Sequence, residues 1–289
     1  MSTPWEEDVL PLIRRALEED LGEGDVTSAT LIPGHVRARG VLRAKEAGVL
    51  SGLAAAREVF PEIDPDLALT ARREDGDRLA SGDEVARLDG HARSILAGER
   101  VALNLLQHLS GVATLTARFV EAVAGTGVRI LDTRKTLPGL RRLEKMAVRD
   151  GGGANHRMGL YDAVMIKDNH IAAVGSLADT LSTLRRGRPS LPVIVEVRSL
   201  EEIRQAAEGP VDRLLLDNFA PGAIGAAVEA ARAAESARAR KLELEVSGGV
   251  TLETVTAYAR TGVDFISVGA LTHSAPALDL SLEVEARRA

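Results

Sequence analysis

Several residue types and patterns are missing from this chain of 289 residues. It has no cysteine, which excludes disulfides, thiolate-bound zinc, iron–sulfur clusters and a cysteine nucleophile. No apolar run approaches the ~18 residues of a membrane-spanning helix, and the acidic, polar start is unlike a signal peptide. The net charge of −6 provides no basic surface for nucleic acid or membranes. We therefore expect a cytoplasmic protein that binds neither nucleic acid nor a membrane.

Side-chain amides are also scarce. The chain has four asparagines and two glutamines, and aromatic residues make up only 2% of it. Two explanations are compatible with this composition. One is a GC-rich genome, and the other is adaptation to heat, since heat-stable proteins avoid thermolabile amides. Three of the four asparagines nevertheless lie between Asp132 and Asn218, which points to a chemical role for that stretch.

Hydrophobic periodicity divides the chain into two unlike parts. The first part, to about residue 110, mixes helical patterns with strand-like runs at 36–42, 67–72 and 84–88, and a long helical run follows from about 94 to 123. The second part contains six short apolar runs, mostly separated by helical patterns, at 128–132, 163–167, 193–197, 213–217, 242–247 and 265–269. Runs this apolar predict parallel strands that are buried on both faces. No Gly-x-Gly-x-x-Gly motif or Walker loop follows the first run, which favours a barrel over a doubly wound sheet.

Charged or glycine-rich residues follow the six apolar runs. In a parallel barrel these ends open on one face, which is where such folds place their functional sites. We group the candidate residues into three zones by their chemistry. The cationic zone is Arg134, Lys135, His156, Arg157 and Lys167; the acidic zone is Glu196 and Asp217; the glycine-rich zone is Ser247, Gly248 and Gly249 with Gly269 and Ala270.

Each zone suits one part of a phosphorylated substrate that also bears carboxylates. Clustered arginine and lysine bind carboxylate or phosphate groups. Two neighbouring carboxylates suit either a Mg²⁺ that also contacts phosphate oxygens or a pair of ribose hydroxyls. Backbone N–H groups of a glycine-rich turn ahead of a helix bind phosphate. The alternatives are ion pairs between the first two zones and ordinary turn chemistry in the third, although neither Lys167 nor Glu196 is a turn former.

Three segments of the second part carry a resemblance to a known family. Residues 132–141 read Asp-Thr-Arg-Lys-Thr-x-Pro-Gly-Leu-Arg, residues 152–162 read Gly-Gly-Ala-Asn-His-Arg-x-Gly-Leu-x-Asp, and residues 167–170 read Lys-Asp-Asn-His. Together they resemble the quinolinate phosphoribosyltransferases, which are also called carboxylating nicotinate-nucleotide pyrophosphorylases. Further matching motifs extend the resemblance over nearly the whole chain.

The resemblance implies a fold and a reaction. The implied fold is an α/β open-sandwich domain at 1–110, completed by the segment 271–289, and an incomplete α/β barrel of about seven strands at 111–270. The implied enzyme is a type II phosphoribosyltransferase. It converts quinolinate and phosphoribosyl diphosphate into nicotinate mononucleotide, diphosphate and CO₂, with Mg²⁺ as cofactor.

The resemblance also implies roles for individual residues. The residues expected to hold the two pyridine carboxylates are Arg134, His156, Arg157, Lys167 and, from a neighbouring chain, Arg100. The residues expected to contact the phosphoribosyl group and its phosphates are Lys135, Ser247, Gly248, Gly249, Val268, Gly269 and Ala270. Thr133 and His273 are expected to bind substrate as well. Glu196 and Asp217 are expected to hold the ribose, its Mg²⁺, or both. The residues expected to act in catalysis are Lys135, Lys167, Glu196 and Asp217.

Two other functions remain as alternatives. One is a paralogue of the same fold, such as a molybdenum-transport-associated relative, but the complete cationic zone argues against it. The other is a non-catalytic carboxylate-binding module, which would not need acidic residues beside a phosphate site. The smallest active unit implied by the resemblance is a homodimer with shared active sites, and a hexamer of dimers is left open.

Overall fold

The computed structural model describes residues 4–187, 190–235 and 241–286. The chain divides into two compact units. The first comprises Met1–Ala117, Thr136–Gly152 and Leu271–Ala289, and the second comprises Arg118–Lys135 and Gly153–Ala270. The domain ranges expected from the sequence stay a prediction. Within the described residues, no helix is both long and apolar enough to cross a bilayer.

Helices and strands alternate along most of the chain. The described helices are α1 (Pro4–Leu21), α2 (Val26–Leu31), α3 (Leu53–Ile63), α4 (Ala92–Ala122), α5 (Arg141–Asp150), α6 (Asp168–Val174), α7 (Leu177–Gly187), α8 (Leu200–Ala207), α9 (Pro221–Glu235), α10 (Leu252–Ala259) and α11 (Ala270–His273). The described strands are β1 (Arg37–Ala44), β2 (Gly48–Val49), β3 (Ala68–Ala71), β4 (Arg78–Leu79), β5 (Glu84–His91), β6 (Arg129–Leu131), β7 (Val164–Ile166), β8 (Val193–Val197), β9 (Arg213–Asp217), β10 (Glu243–Ser247), β11 (Phe265–Ser267) and β12 (Leu280–Ala286).

The first unit is built on an antiparallel sheet of order β12-β1-β5-β3. Strand β12 pairs with β1 along its whole length, so the end of the described chain returns to this sheet. Helix α1 buries Val9, Ile13 and Leu17, which recur at the spacing of one helix face. The helix ends where Gly22 adopts a φ of +51°, a left-handed conformation that glycine takes at little cost.

The second unit is built on a parallel sheet of six strands in the order β6-β11-β10-β9-β8-β7. Each of the six apolar runs forms one of these strands, so the strand predictions are confirmed. Strands β8, β9 and β10 are buried along most of their length because helices follow them in the chain. The mixed α/β fold class is confirmed.

The strand count differs from the expected seven. Among the described residues β6 and β7 lie at the two edges of the sheet, and no ladder joins them. A single parallel bridge between Leu131 and Ala154 occupies the outer edge of β6 instead. The segment that carries His156 and Arg157 therefore follows a residue that is bridged to the edge strand β6.

Some helix predictions also differ from the structure. Gly111 and Thr114 are potential interruptions of the long helical run in the sequence, but α4 is continuous from Ala92 to Ala122. A Cβ on Gly111 would lie 3.0 Å from the carbonyl carbon of Pro276, so this glycine permits close backbone approach and does not break the helix. The sequence predicts a helix over residues 223–240; α9 is described as Pro221–Glu235, and residues 236–240 lie outside the described ranges. Helix α6 was not predicted because it is only seven residues long.

Candidate active site

The strand register of the second unit places the candidate residues on one face of the sheet. Side chains alternate along a strand, and residues in register on neighbouring parallel strands share a face. Met165 is in register with Ile194, Ile194 with Arg213, and Asp217 with Ser247. The same face therefore carries, at or just beyond the carboxyl ends of the strands, Thr133, Lys167, Glu196, Asp217 and Ser247.

The two carboxylates of the acidic zone are bound by cations. Lys167 Nζ lies 2.9 Å from Glu196 Oε2, and the guanidinium of Arg198 lies 2.9 Å from Glu196 Oε1. Arg198 also reaches Asp217 Oδ2 at 3.2 Å and Asp168 Oδ2 at 3.0 Å. The Glu196 side chain is only 5% exposed, so both of its oxygens need such partners. The acidic zone is thus half of an ion-pair network.

Arg198 is the site residue that the sequence analysis missed. It follows β8 directly, and its guanidinium joins three carboxylates that come from three different strand ends. The sequence feature that could have identified Arg198 is its position directly after an apolar run, close to acidic residues that need a positively charged partner. Half of its side chain remains exposed, so an incoming ligand can reach it.

Arg134 and Arg157 of the cationic zone repel each other. Burial lowers the pKa of Arg157, and the nearby charge of Arg134 lowers it further, while Asp162 acts in the opposite direction. Arg157 Nη1 donates to the carbonyl oxygen of Ala163 at 3.2 Å, which fixes the side chain against β7. Lys135 is exposed, and its backbone N–H donates to Thr133 Oγ1 at 3.0 Å. Two mutually repelling arginines form a site that an anion would stabilise.

His156 lies deeper than the other members of the cationic zone, since only 6% of its side chain is exposed. Its backbone N–H donates to Asp132 Oδ1 at 2.8 Å, and the side chain of Asn155 donates to Asp132 Oδ2 at 2.6 Å. Asp132 is fully buried, so these bonds anchor the loop to the end of β6. The imidazole Nε2 lies 3.3 Å from Oε1 of Glu245.

The glycine-rich zone is a tight turn after β10. Gly248 and Gly249 have φ values of +98° and +60°, and Asn218 after β9 also has a positive φ of +58°. Asn218 donates its backbone N–H to the carbonyl oxygen of Ser247 at 2.9 Å, which ties the two strand ends together. Helix α10 begins at Leu252, shortly after this turn. The arrangement has the features of a phosphate-binding turn: glycines, free space at Gly249, and a following helix.

The remaining candidate residues lie at the end of β11 and in the first unit. Val268 donates its N–H to the carbonyl oxygen of Leu131 at 2.9 Å, which holds β11 against β6 ahead of Gly269 and Ala270. In the first unit His273 is exposed, with Nδ1 2.6 Å from Ser274 Oγ. Arg100 lies on α4 with 56% of its side chain exposed, and it pairs with Glu99 at 3.5 Å.

The acidic zone was also tested as a Mg²⁺ site. No group of three or more potential metal ligands occurs among the described residues. Mg²⁺ in phosphate-transferring sites usually binds one or two carboxylates and completes its shell with water and substrate oxygens. Glu196 and Asp217 supply that number of carboxylates, so the donor set fits a Mg²⁺ that arrives with a phosphorylated substrate.

The fold and the site together define a class of protein. Parallel α/β proteins that gather cations, carboxylates and a glycine-rich turn at the carboxyl ends of their strands bind small phosphorylated substrates there. Comparison with known proteins specifies the class further. The N-terminal domain of quinolinate phosphoribosyl transferase matches residues 25–110, and its C-terminal domain matches residues 112–283. The chain belongs to the quinolinate phosphoribosyltransferase family.

Individual relatives agree with the family match. The nicotinate-nucleotide pyrophosphorylase [carboxylating] of Mycobacterium leprae is 46% identical over 94% of this chain and 95% of its own length. A probable enzyme of the same name from Bacillus subtilis is 41% identical over 94% of this chain and 92% of its own. The crystal structure of NadC from Streptococcus pyogenes superposes with a TM-score of 0.91 at 40% identity, covering 100% of this chain and 99% of that one. These names support the transferase over the molybdenum-transport-associated alternative.

Proposed function

We propose that this protein transfers the phosphoribosyl group of phosphoribosyl diphosphate to quinolinate. The products are nicotinate mononucleotide, diphosphate and CO₂. The observation that carries the proposal is the placement of Lys167, Glu196 and Asp217 on one face of the sheet, beside the glycine-rich turn after β10, because the two substrates bring carboxylates, a ribose and phosphates to such a face. The names of the relatives at 40–46% identity support the same reaction.

The three zones would bind different parts of the two substrates. Arg134, Arg157 and Lys167 would hold the pyridine carboxylates of quinolinate. Lys167 already balances Glu196 at 2.9 Å, so a substrate carboxylate would compete for a cation that is positioned in advance. The glycine-rich zone would bind phosphate, joined by Val268 to Ala270 and by His273. Lys135 and Thr133 would contact the phosphoribosyl group.

The chemistry needs no general base. The nucleophile is the pyridine nitrogen, whose lone pair carries no proton that must be removed. The C–O bond between ribose and diphosphate breaks as the C–N bond forms, and positive charge develops on the ribosyl carbon. Glu196 and Asp217 would stabilise that charge, while the cations stabilise the departing diphosphate. The ring nitrogen is then cationic, so the electron pair left by departing CO₂ is stabilised on the adjacent carbon until that carbon takes a proton.

Glu196 and Asp217 would hold the Mg²⁺ that accompanies phosphoribosyl diphosphate. When bound, it would supply positive charge that neutralises the diphosphate leaving group. Arg198 contacts the same two carboxylates at 2.9 Å and 3.2 Å, so it would supply further positive charge beside them.

The substrate is tested by measuring nicotinate mononucleotide with quinolinate and with nicotinate as alternative acceptors. Quinolinate should be used and nicotinate should not, because a monoacid leaves part of the clustered cationic charge without its second carboxylate. Equal turnover of the two acids would contradict the proposal. Activity with neither acid, in a folded protein supplied with Mg²⁺, would contradict it as well.

The second part of the proposal is a homodimer in which Arg100 completes the site of the partner. The cationic residue lies on the exposed side of α4, paired only loosely with its neighbour Glu99 at 3.5 Å. Complementation tests this: Arg100→Ala and Arg134→Ala should each be nearly inactive alone. Random re-association of equal amounts should restore about a quarter of the sites if Arg100 acts across a two-fold axis. No recovery, with subunit exchange verified separately, would refute the shared site.

A further inference from the structure

A buried carboxylate lies beneath the candidate site and belongs to none of the three zones. Glu245 is in the middle of β10, on the same face as Asp217 and Ser247, and it is fully buried. Ser267 Oγ donates to its Oε1, and Arg213 Nη1 donates to its Oε2 at 3.0 Å. His156 Nε2 lies 3.3 Å from Oε1. The carboxylate thus connects the interior of the sheet with a residue of the site.

The contacts of Glu245 favour its charged form in spite of its burial. Burial has the largest influence and raises its pKa. The contacts with His156, Ser267 and Arg213 together outweigh burial, so the pKa ends below its usual value. Arg213 is itself fixed, since it pairs with Glu243 at 2.8 Å and its guanidinium carbon lies 3.9 Å from the centre of the Phe265 ring. The Glu245 carboxylate is therefore held in one place, with Arg213 and Ser267 donating to it and His156 beside it.

The contacts of His156 determine which of its ring nitrogens carries the proton. The backbone N–H of Arg157 donates to His156 Nδ1 at 2.6 Å. A nitrogen that accepts a hydrogen bond carries no proton, so the neutral ring carries its proton on Nε2, which faces Glu245. Nδ1 thus accepts a hydrogen bond from the backbone of Arg157, while Nε2 lies within ion-pair distance of Glu245, at 3.3 Å.

We propose that Glu245 is a positioning residue that orients Arg157 for a substrate carboxylate, acting through the imidazole of His156. Glu245 fixes the tautomer and the orientation of the ring. The ring then fixes the peptide of Arg157, whose side chain is also held by the carbonyl oxygen of Ala163 at 3.2 Å. His156 would thus act on quinolinate mainly through its neighbour. The inference rests on the proposed function for the identity of the ligand, and on the geometry alone for the tautomer.

A purely structural role for Glu245 leads to different expectations. A buried ion pair that only stabilises the sheet would affect folding and would change the binding of both substrates equally. A positioning role changes the acceptor site and spares the phosphoribosyl site, because Arg157 is proposed to hold a pyridine carboxylate of quinolinate and not the phosphoribosyl group. The ratio of the two KM values therefore distinguishes the two roles.

The experiment compares Glu245→Gln with Glu243→Gln. The control makes the same substitution on the same face of the same strand and removes charge from the same partner, Arg213, but Glu243 lies at the amino end of β10, two residues further from the candidate site than Glu245. Glu245→Gln should raise the KM for quinolinate by about tenfold or more, as expected for a misplaced charged contact. The KM for phosphoribosyl diphosphate should not change. Glu243→Gln should leave both KM values unchanged.

The imidazole tautomer provides a readout that needs no activity. The chain has six histidines, so side-chain ¹H–¹⁵N correlation spectra resolve them, and His156→Gln assigns the signal. In the wild type, His156 should carry its proton on Nε2; in Glu245→Gln that proton should exchange faster with solvent. If Glu245→Gln does not fold, Glu245→Asp keeps the charge but shortens the side chain, and it should raise the same KM.

Three results would overturn the inference. These are a wild-type His156 protonated on Nδ1, equal rises in both KM values, and a folded Glu245→Gln protein with an unchanged KM for quinolinate. A wild type that does not use quinolinate would instead refute the proposed function. The tautomer would still report on the contact between Glu245 and His156.

Discussion

Gly248 gives the most sharply defined prediction for stability. Its φ of +98° is strained for any residue with a side chain. A Cβ at this position would lie 2.8 Å from Asn218 Cγ and 3.0 Å from the Asn218 backbone nitrogen. The backbone nitrogen cannot move away easily, because it donates to the carbonyl oxygen of Ser247 at 2.9 Å. Gly248→Ala should therefore be destabilised both by backbone strain and by overpacking.

Gly249 is the matched control. It also has a positive φ, +60°, but a Cβ there would have nothing within 4 Å. Gly249→Ala should cost only the left-handed conformation, about 1–2 kcal/mol. Gly248→Ala should add an overpacking cost of about 1–3 kcal/mol, for a total of about 2–5 kcal/mol. Each kcal/mol of lost stability lowers the midpoint of thermal unfolding by ~2–4 °C in a chain of about this size. That midpoint should therefore fall by about 2–8 °C for Gly249→Ala and by about 4–20 °C for Gly248→Ala.

The assay is thermal unfolding followed by circular dichroism for both variants at one pH and concentration. The order of the two midpoints is the quantity that tests the reasoning. Equal midpoints, or a lower midpoint for Gly249→Ala, would show that contact with Asn218 does not constrain the turn.

Three further predictions concern charge and composition. Arg134→Ala, Arg157→Ala and Lys167→Ala should each lower kcat/KM by about 10²-fold or more, with the far-UV circular dichroism spectrum unchanged. A loss of under about tenfold for all three would mean that these residues only form ion pairs. Burial raises the pKa of Asp150, the Ser51 hydroxyl lowers it, and Asp75 raises it further. A carboxyl with a raised pKa contributes less to the stability of the folded state as the pH rises. Asp150→Asn should therefore be more stable than the wild type at pH 7, and urea unfolding at several pH values should show this difference vanishing below the usual pKa of 3.8. The scarcity of amides predicts a midpoint of unfolding above the ~45–65 °C of mesophile domains, and a value inside that range would favour the codon-bias explanation.

The sequence predicted the parallel strands well because burial on both faces leaves a strong signal. Runs such as Val193–Val197 are apolar at nearly every position and are bounded by polar residues. Short or paired elements leave little signal. Strand β12 was not predicted because its alternating pattern has meaning only against β1, far away in the sequence.

The sequence indicated which residues belong to the candidate site better than it indicated which of them contact each other. The three zones came from the ends of the strands, and the register explains why residues so far apart in sequence share a face. The pairing of individual charged groups could not be predicted, because it depends on the length and the conformation of each side chain. Arg198 holding both members of the acidic zone is one case, and Glu245 facing His156 is another.

The most direct test of the central claim follows the carboxyl carbon that the reaction removes. Quinolinate labelled in the carboxyl group next to the ring nitrogen is incubated with the protein, phosphoribosyl diphosphate and Mg²⁺. Labelled CO₂, nicotinate mononucleotide and diphosphate should then appear in equal amounts, because ribosylation of the nitrogen makes loss of the adjacent carboxylate possible. Labelled CO₂ without diphosphate, or diphosphate with the label retained in the nucleotide, would contradict the account.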